Sequence, residues 1–147
     1  MQKELLIGIY RRDVERLKEE VKLYPDEASL WIVKDGIPNS AGNLVLHLIG
    51  NLNHFFGAVI SQNGYVRQRD EEFSLGNVSR ADLLSQLDDA VNVVSAALAG
   101  LSDEDLAKDF PVELQGTIFP TEFVVVYMLS HLNYHLGQIN YHRRLLA

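Results

Sequence analysis

The sequence predicts an all-α protein, a four-helix bundle in one domain spanning residues 1–147. Four long segments carry apolar residues at the three- and four-residue spacing of amphipathic helices. Capping and turn residues separate these segments, and no repeat or low-complexity linker marks a domain boundary. A chain of 147 residues, 47% of them hydrophobic, is also long enough to bury one substantial core.

The first two helices are predicted from about Gln2 to Leu23 and from about Ala41 to Gln62. Leucine, isoleucine and valine at helical spacing give the first helix its apolar face, and Pro25 helps to end it. Ser40 is a good N-cap for the second helix. The pair Asn63-Gly64 tolerates left-handed backbone geometry and is expected to close it.

The third helix is predicted from about Arg80 to Ala99. Ser79 and Asp82 resemble a capping box, with Asp in place of the usual Glu or Gln, and Gly100 ends the helix. The polar stretch from Tyr65 to Val78 is expected to be an ordered crossover from the second helix to the third.

The fourth helix is predicted to begin at Pro120 and to run close to the C-terminus. Residues 123–129 are apolar almost all round, so we expect this helix to be the most buried of the four. Between the third and fourth helices, the segment FPVELQGTIFP has two extended apolar pieces around Gln115-Gly116. These pieces predict a small hairpin.

Composition excludes several classes of function. The net charge is −7, and the densest basic clusters are the pairs Arg11-Arg12 and Arg143-Arg144, so no nucleic-acid partner is expected. The absence of cysteine removes disulfides, thiolate ligands and a cysteine nucleophile. The charged N-terminal stretch is not a signal peptide, and the longest apolar runs are shorter than the ~20 residues of a membrane helix. A cytoplasmic protein with no membrane partner is therefore expected.

Histidines provide the main functional signal. The chain has five of them: His47, His54, His131, His135 and His142. His131 and His135 are four residues apart, so on a helix both imidazoles project from one face and can reach a single ion. The residues between them are Leu-Asn-Tyr, without the adjacent glutamate of the helical metalloprotease motif and its general base.

Polar stripes run along the second and fourth predicted helices, both of which are otherwise apolar. At about 100° per residue, one quadrant of the fourth helix holds Tyr127, His131, His135, Gln138 and His142. The narrow stripe of the second helix holds Asn43, His47, Asn51 and His54. Buried polar groups are costly unless satisfied, and one shared ion would satisfy several together. We therefore predict a metal site on His47, His131 and His135, in preference to histidines that separately bond carbonyls or face water.

Further candidates surround this predicted site. Side chains that could orient the ligands through their second ring nitrogen are Asn43, Asn51, Tyr134 and Gln138. His54 and His142 lie two helical turns from the ligands, about 10 Å away, and are expected to line the cavity or pair with an acid. The charged crossover residues are Arg67, Arg69, Asp70 and Glu72. They either close over the site and bind an anionic substrate or form a solvated loop.

Four segments resemble the DinB/YfiT-like superfamily of small bacterial four-helix proteins. They are SAGNLVLHLIGNLNHFF, YVRQRDEEFS, VSRADLLSQLDDAV and HLNYHLGQINYHRRLL. The second segment is similar to a branch with an RDxEF sequence after helix two. The resemblance covers essentially the whole chain and implies an up-down-down-up bundle that binds Zn²⁺ or Ni²⁺ through His47, His131 and His135. It also implies a homodimer, and characterised relatives include transferases and an isomerase that use small thiols such as bacillithiol, mycothiol or glutathione.

Three neutral imidazoles would leave a divalent ion with its full charge and an open coordination position, which is a catalytic rather than a structural pattern. Such an ion acidifies a bound water or holds a thiol as thiolate. Because the chain has no cysteine, a low-molecular-weight thiol would have to arrive as co-substrate. Three functions stay open: a metal-dependent enzyme, acting as an S-transferase or a metal-hydroxide hydrolase on a small-molecule substrate; a non-enzymatic metal- or ligand-binding stress protein; and an interaction bundle without metal.

Overall fold

The structure is a computed structural model that describes residues 2–147. In chain order its helices are α1 (Lys3–Leu23), α2 (Ala41–Leu52), α3 (Arg69–Ser74), α4 (Arg80–Ala99), α5 (Asp103–Ala107) and α6 (Thr121–Leu145). A 3₁₀ turn follows α1 at Ala28–Trp31, and α2 continues as a π-helix over Asn53–Ile60. Helices α1, α2, α4 and α6 surround one hydrophobic core. The predicted all-α four-helix bundle is confirmed.

Helices α1 and α6 run parallel to each other. Near the start of both helices, the Tyr10 hydroxyl donates a hydrogen bond of 2.5 Å to the carbonyl of Val125. Near the end of both, the Tyr24 hydroxyl lies 3.1 Å from the carbonyl of Ile139. The two buried tyrosines therefore fix the relative height of the helices.

Helix α4 is antiparallel to α1. Lys3, at the start of α1, donates to the Ala99 carbonyl at the end of α4 over 2.8 Å. Further along α1, the ammonium group of Lys18 lies 2.7 Å from the Asp88 carboxylate, which is in the first half of α4. These contacts place successive parts of α1 against successively earlier parts of α4.

Helix α2 is antiparallel to α6. Leu44 lines the same cavity as Gln138, whereas His47, three residues later in α2, contacts the earlier residue His131 of α6. Because α1 and α6 are parallel, α2 and α4 both run against that pair. The bundle therefore has the up-down-down-up topology that the resemblance implied.

Helix α2, not α6, is the most buried of the long helices. Every residue of Ala41–Leu52 except Asn43 is buried, whereas Phe123, Val126 and Tyr127 of α6 are each more than 40% exposed. The expectation that the fourth long helix would be the most buried is therefore wrong. The apolar residues of α6 face two ways, some into the core and some onto an open aromatic surface.

The segment Ala41–Ile60 is long and apolar enough to cross a membrane on length and composition alone. In the protein, 61% of this window is buried inside the bundle. The core helix of a water-soluble protein has the same composition, because its side chains are removed from water by neighbouring helices. Packing within the bundle thus accounts for the apolar sequence.

The segment between α5 and α6 folds back on itself. Leu114 and Thr117 exchange two backbone hydrogen bonds of 2.8 and 3.0 Å. Between them, Gln115 and Gly116 have φ angles of 50° and 79°, the left-handed values that a tight type I′ turn requires at both central positions. The predicted hairpin is present as isolated antiparallel bridges, and no strand forms within residues 2–147.

Serine side chains cap the start of two of the long helices, although Asp82 does not return the second hydrogen bond of the predicted capping box to Ser79. The Ser40 hydroxyl accepts a hydrogen bond of 3.1 Å from the backbone N–H of Asn43, and the Ser79 hydroxyl accepts one of 3.1 Å from that of Asp82. Each bond satisfies a donor that the first helical turn would otherwise leave unpaired. Ser40 thereby fixes the start of α2, seven residues before the first histidine of the site.

Candidate metal centre

Three histidine side chains from α2 and α6 converge between the two helices. One ring nitrogen from each of His47, His131 and His135 lies within 4.8 Å of the other two. The closest pair is His47 Nε2 and His131 Nε2, which are 3.1 Å apart. His47 is buried, with 7% exposed, while His131 and His135 are half-buried. The group is therefore more accessible at its two α6 histidines than at His47.

The spacing of these nitrogens fits a small divalent cation. Tetrahedral zinc with Zn–N bonds of about 2.0–2.1 Å holds its ligand nitrogens about 3.3 Å apart. Two unprotonated imidazole nitrogens at 3.1 Å would place their lone pairs against each other, so either a cation or a proton must lie between them. Imidazole donors favour Zn²⁺ or Ni²⁺ over the oxygen-seeking Mg²⁺ and Ca²⁺.

Glu72 contacts His47 from the side opposite the other histidines. Its Oε1 atom lies 3.0 Å from His47 Nδ1, and the residue is 6% exposed. Arg67 donates to both carboxylate oxygens, from Nε to Oε2 over 2.8 Å and from Nη2 to Oε1 over 3.0 Å. A carboxylate acceptor at Nδ1 puts the ring proton there and leaves the Nε2 lone pair free for a metal.

Gly50 makes room for this carboxylate on the surface of α2. A Cβ atom at position 50 would lie 1.9 Å from Oε2 of Glu72, which no structure tolerates without moving the carboxylate. Asn43 also lies on α2, and its side-chain amide donates to the backbone carbonyls of Glu72 and Leu75 over 3.0 and 2.8 Å. Asn43 was predicted to orient a histidine directly; instead it anchors the segment that carries Glu72.

Gln138 takes the corresponding position on α6. Its Oε1 atom lies 2.6 Å from His135 Nδ1, so the ring proton of His135 is held on Nδ1 and Nε2 is left for a metal. The sequence predicted that Gln138 orients a ligand; the contact with His135 is present, and the role towards a metal stays a prediction. Tyr134 is 66% exposed and meets the His135 ring edge-on at 5.3 Å, without a hydrogen bond to it.

His131 has no such partner. Its Nδ1 atom is buried and unbonded within the described residues, and so is the Oδ1 atom of Asn51. Asn51 is 5% exposed and forms no hydrogen bond with any of the three histidines, so its predicted orienting role needs correction. No contact on the Nδ1 side of the ring therefore orients His131.

Burial keeps two of the three imidazoles neutral. The pKa of His131 falls from 6.5 to about 4, chiefly because of burial and further because His135 and His47 are close. The pKa of His47 is also lowered, since burial outweighs its hydrogen bond to Glu72. Neutral imidazole is the form that binds metal, so these residues are ready to bind at neutral pH without first losing a proton.

The remaining two histidines do not join the group. His142 is buried; its Nδ1 atom lies 2.7 Å from the Tyr24 hydroxyl and its Nε2 atom lies 2.8 Å from the Ile32 carbonyl. Of the two roles expected for it, pairing with an acid is wrong, because its partners are a phenol and a carbonyl. His54 is half-buried against the ring of Phe55, and burial lowers its pKa.

The charged crossover residues have separate roles. Arg67 and Glu72 form a mostly buried ion pair at 2.8 Å, so these two are not part of a solvated loop, and binding of an anionic substrate stays a prediction. Arg69 is exposed, and its guanidinium carbon lies 5.6 Å from the centre of the Phe73 ring. Asp70 is exposed as well, as the solvated-loop alternative predicted.

A cavity of about 260 Å³ lies near the histidine group, although none of the three histidines is among its walls. It lies between residues 36–39 and the last turns of α6, with Ile37, Leu44, Tyr141 and His142 among its walls. Leu44 is one turn before His47, and the wall residue Gln138 contacts His135, so two of its walls lie next to site residues. A larger groove of about 690 Å³ lies between α1 and α6, and its walls also lack the three histidines.

Comparison with known proteins identifies the family. The family model described as "Protein of unknown function (DUF1572)" matches residues 7–147, nearly the whole chain. The chain belongs to the DUF1572 family. No curated protein sequence matches this DUF1572 protein at a significant level.

The fold of this DUF1572 protein is similar to a solved enzyme structure. It matches the crystal structure of a histidine-to-alanine mutant of mycothiol-dependent maleylpyruvate isomerase with a TM-score of 0.70 and 15% identity. The match covers 95% of this chain but 61% of the isomerase chain, so the DUF1572 protein spans about three-fifths of its length. At this identity the structural likeness by itself shows only a common fold. The DUF1572 family match and this fold together support the resemblance to the DinB/YfiT-like superfamily.

Proposed function

We propose that this DUF1572 protein is a divalent-metal-dependent enzyme that uses a low-molecular-weight thiol as co-substrate. The observation that carries the proposal is the convergence of three imidazole nitrogens within 4.8 Å, with no fourth His, Cys, Asp or Glu in the group among the described residues. Three protein ligands leave a position open, as in catalytic zinc sites. The similar fold of a mycothiol-dependent isomerase supports the choice of a thiol.

The residues of the chain have distinct tasks in this proposal. His47, His131 and His135 would hold Zn²⁺ or Ni²⁺, which when bound supplies Lewis acidity to a thiol or water molecule entering the open position. Glu72 and Gln138 keep the protons of two ligands on Nδ1. Because all three ligands are neutral imidazoles, they leave the charge of the ion uncompensated, and this favours an anionic sulfur.

The neighbouring cavity offers space for the body of the substrate. Leu44, Ile37 and Leu145 give it apolar walls, and Tyr141 adds an aromatic one. Gln138 contributes a polar group at the end nearest His135. An apolar pocket with a few polar groups beside a reactive centre is the usual form of a small-molecule site.

The first test is the metal content of protein that carries no polyhistidine tag, since a tag recruits nickel itself. Stoichiometric zinc or nickel is expected, and its loss is expected in His131→Ala and His135→Ala. His54→Ala is the matched control, because His54 is also a half-buried histidine but lies outside the group, in the π-helical continuation of α2. Protein that binds no metal would favour the interaction bundle.

The second test is turnover. A panel of small thiols is combined with electrophilic acceptors, with and without a chelator, and thiol consumption is followed. Metal-dependent transfer supports the proposal. Ester hydrolysis without added thiol would favour the metal-hydroxide hydrolase. Absence of turnover across the panel, with a large drop in melting temperature on metal removal, would favour the non-enzymatic metal-binding protein.

A further inference from the structure

A buried ion pair lies behind one side of the three-histidine group, outside the set of metal ligands. We propose that Glu72 is a positioning residue that orients His47 for the metal. Arg67 holds the Glu72 carboxylate by hydrogen bonds, and Gly50 leaves room for it on α2. Metal affinity therefore depends on docking of the segment 67–75 against α2. This inference rests on the proposed metal site and assigns a role to residues that do not touch the ion.

The hydrogen-bond directions support this role. Arg67 donates to both oxygens of Glu72, at 2.8 and 3.0 Å, so the carboxylate is an acceptor towards its third neighbour. That neighbour is His47 Nδ1, 3.0 Å from Oε1. Arg67 Nη2 also lies 3.5 Å from His47 Nδ1, and both donors point at the same oxygen. Without its proton, His47 Nδ1 would face the acceptor oxygen of Glu72 and the Arg67 guanidinium, whose donor is directed at that same oxygen. With its proton, Nδ1 donates a hydrogen bond to Glu72.

Burial makes the arrangement specific. The side chains of Glu72 and Arg67 are 6% and 14% exposed, so both charges have given up most of their hydration. A buried charge that loses its partner is strongly destabilised, whereas a closed pair with its hydrogen bonds satisfied is held in one geometry. The pair thus fixes the ring plane of His47 and adds no net charge beside the ion.

Docking of the segment depends on α2, the helix that also carries His47. Asn43 holds the backbone carbonyls of Glu72 and Leu75 over 3.0 and 2.8 Å. The Phe73 ring lies 5.0 Å from the His47 ring. Gly50 lacks the Cβ atom that would overlap the carboxylate. Any change that lifts the segment therefore removes the hydrogen-bond partner of a metal ligand.

Gly50→Ala tests the proposal without altering any donor or acceptor. Its new Cβ would occupy the place of Glu72 Oε2, 1.9 Å away, so the carboxylate must move from His47. We expect the Zn²⁺ affinity, measured by competition with a chromophoric chelator, to fall about 10- to 100-fold. Gly137→Ala is the matched control: it adds the same methyl group two residues from His135, where nothing lies within 4 Å, and should keep the wild-type affinity.

Variants of Glu72 complete the experiment. Glu72→Ala should weaken Zn²⁺ binding about as much as Gly50→Ala, and Glu72→Gln should weaken it less, because an amide oxygen still accepts from Nδ1. Combining Gly50→Ala with Glu72→Ala should cost no more than Glu72→Ala alone, since both act through one contact. Melting curves of the apo-proteins show whether each variant folds; if Gly50→Ala does not fold, the two Glu72 variants decide.

Three results would overturn the inference, and they are distinguishable. Tight Zn²⁺ binding by the wild type together with unchanged affinity in the Glu72 variants would remove the positioning role and leave the proposed metal site standing. Absence of Zn²⁺ binding in the wild type would remove both. Equal losses in Glu72→Gln and Glu72→Ala would mean that packing of the segment, not acceptance of the His47 proton, sets the affinity.

Discussion

Replacement of His142 by alanine should destabilise the protein and leave metal binding intact. His142 is 3% exposed, and its ring joins three parts of the chain: α6, the end of α1 through Tyr24, and the following loop through the Ile32 carbonyl. It has no hydrogen bond to the three-histidine group. The variant therefore separates a histidine that holds the fold from those assigned to the metal.

The expected loss follows from these contacts. Two hydrogen bonds, of 2.7 and 2.8 Å, disappear; each contributes about 1 kcal/mol, and a buried group left without a partner costs more. The Tyr24 hydroxyl retains its contact with the Ile139 carbonyl at 3.1 Å, which limits the penalty. The cavity left by the ring adds about 1–2 kcal/mol. The free energy of unfolding should thus fall by about 2–4 kcal/mol in total, lowering the melting temperature by about 10 °C for a domain of this size.

The assay compares His142→Ala with His135→Ala. Unfolding of the apo-proteins in urea gives stability, and chelator competition gives Zn²⁺ affinity. His135 is half-buried and its hydrogen-bond partner Gln138 is exposed, so His135→Ala should lose the metal with a small change in apo-protein stability. If His142→Ala weakens Zn²⁺ binding as much as His135→Ala does, the assignment of the ligands is wrong.

Three more predictions concern acid, metal and packing. The pKa of His131 is about 4 in the folded protein and 6.5 ordinarily, so between these pH values His131 is protonated only in the unfolded chain. The stability of the apo-protein should therefore fall as the pH drops from 6.5 to 4, with no further loss from this group at lower pH. Urea titrations at a series of pH values measure this. Zn²⁺ at a hundred times its dissociation constant should stabilise the fold by about 2.7 kcal/mol, so a chelator should lower the melting temperature by several degrees in scanning calorimetry. Gly42→Ala should destabilise the protein by about 1–3 kcal/mol in urea unfolding, because its Cβ would lie 2.6 Å from the Trp31 ring; unchanged stability would mean that the ring moves freely.

The long helices could be predicted from sequence because their signals are local. Apolar spacing predicted four helices, and Ser40 and Ser79 cap two of them as expected. The π-helical continuation of α2 over Asn53–Ile60 was missed. A change from one intrahelical hydrogen-bond register to another requires no particular residue type, so no sequence signal distinguished it from regular α-helix.

The site was predictable to the extent that it lies on single helices. His131 and His135 are neighbours by helical spacing alone, and Gln138 contacts His135 from the next turn. Glu72 is 25 residues from His47 and lies on a different helix, so its carboxylate could not be assigned to that ring in advance. One signal was available: a glycine inside an apolar helix costs about 1 kcal/mol relative to alanine. Gly50, one turn after His47, therefore indicated the close approach of another group.

The charges around the centre bear on which ligand the open position would take. The carboxylate nearest the histidines is Glu72, and Arg67 offsets its charge at 2.8 Å, so the pair does little to neutralise an ion held by the imidazoles. A divalent ion in such surroundings gains most from a ligand that brings negative charge of its own, and a thiolate does so while losing less hydration than a carboxylate. The chain supplies no such ligand, since it has no cysteine and no fourth acidic or histidine side chain in the group within residues 2–147. On the proposed function, the missing charge comes with the substrate, and the neutral ligand set is the reason that a thiol is preferred.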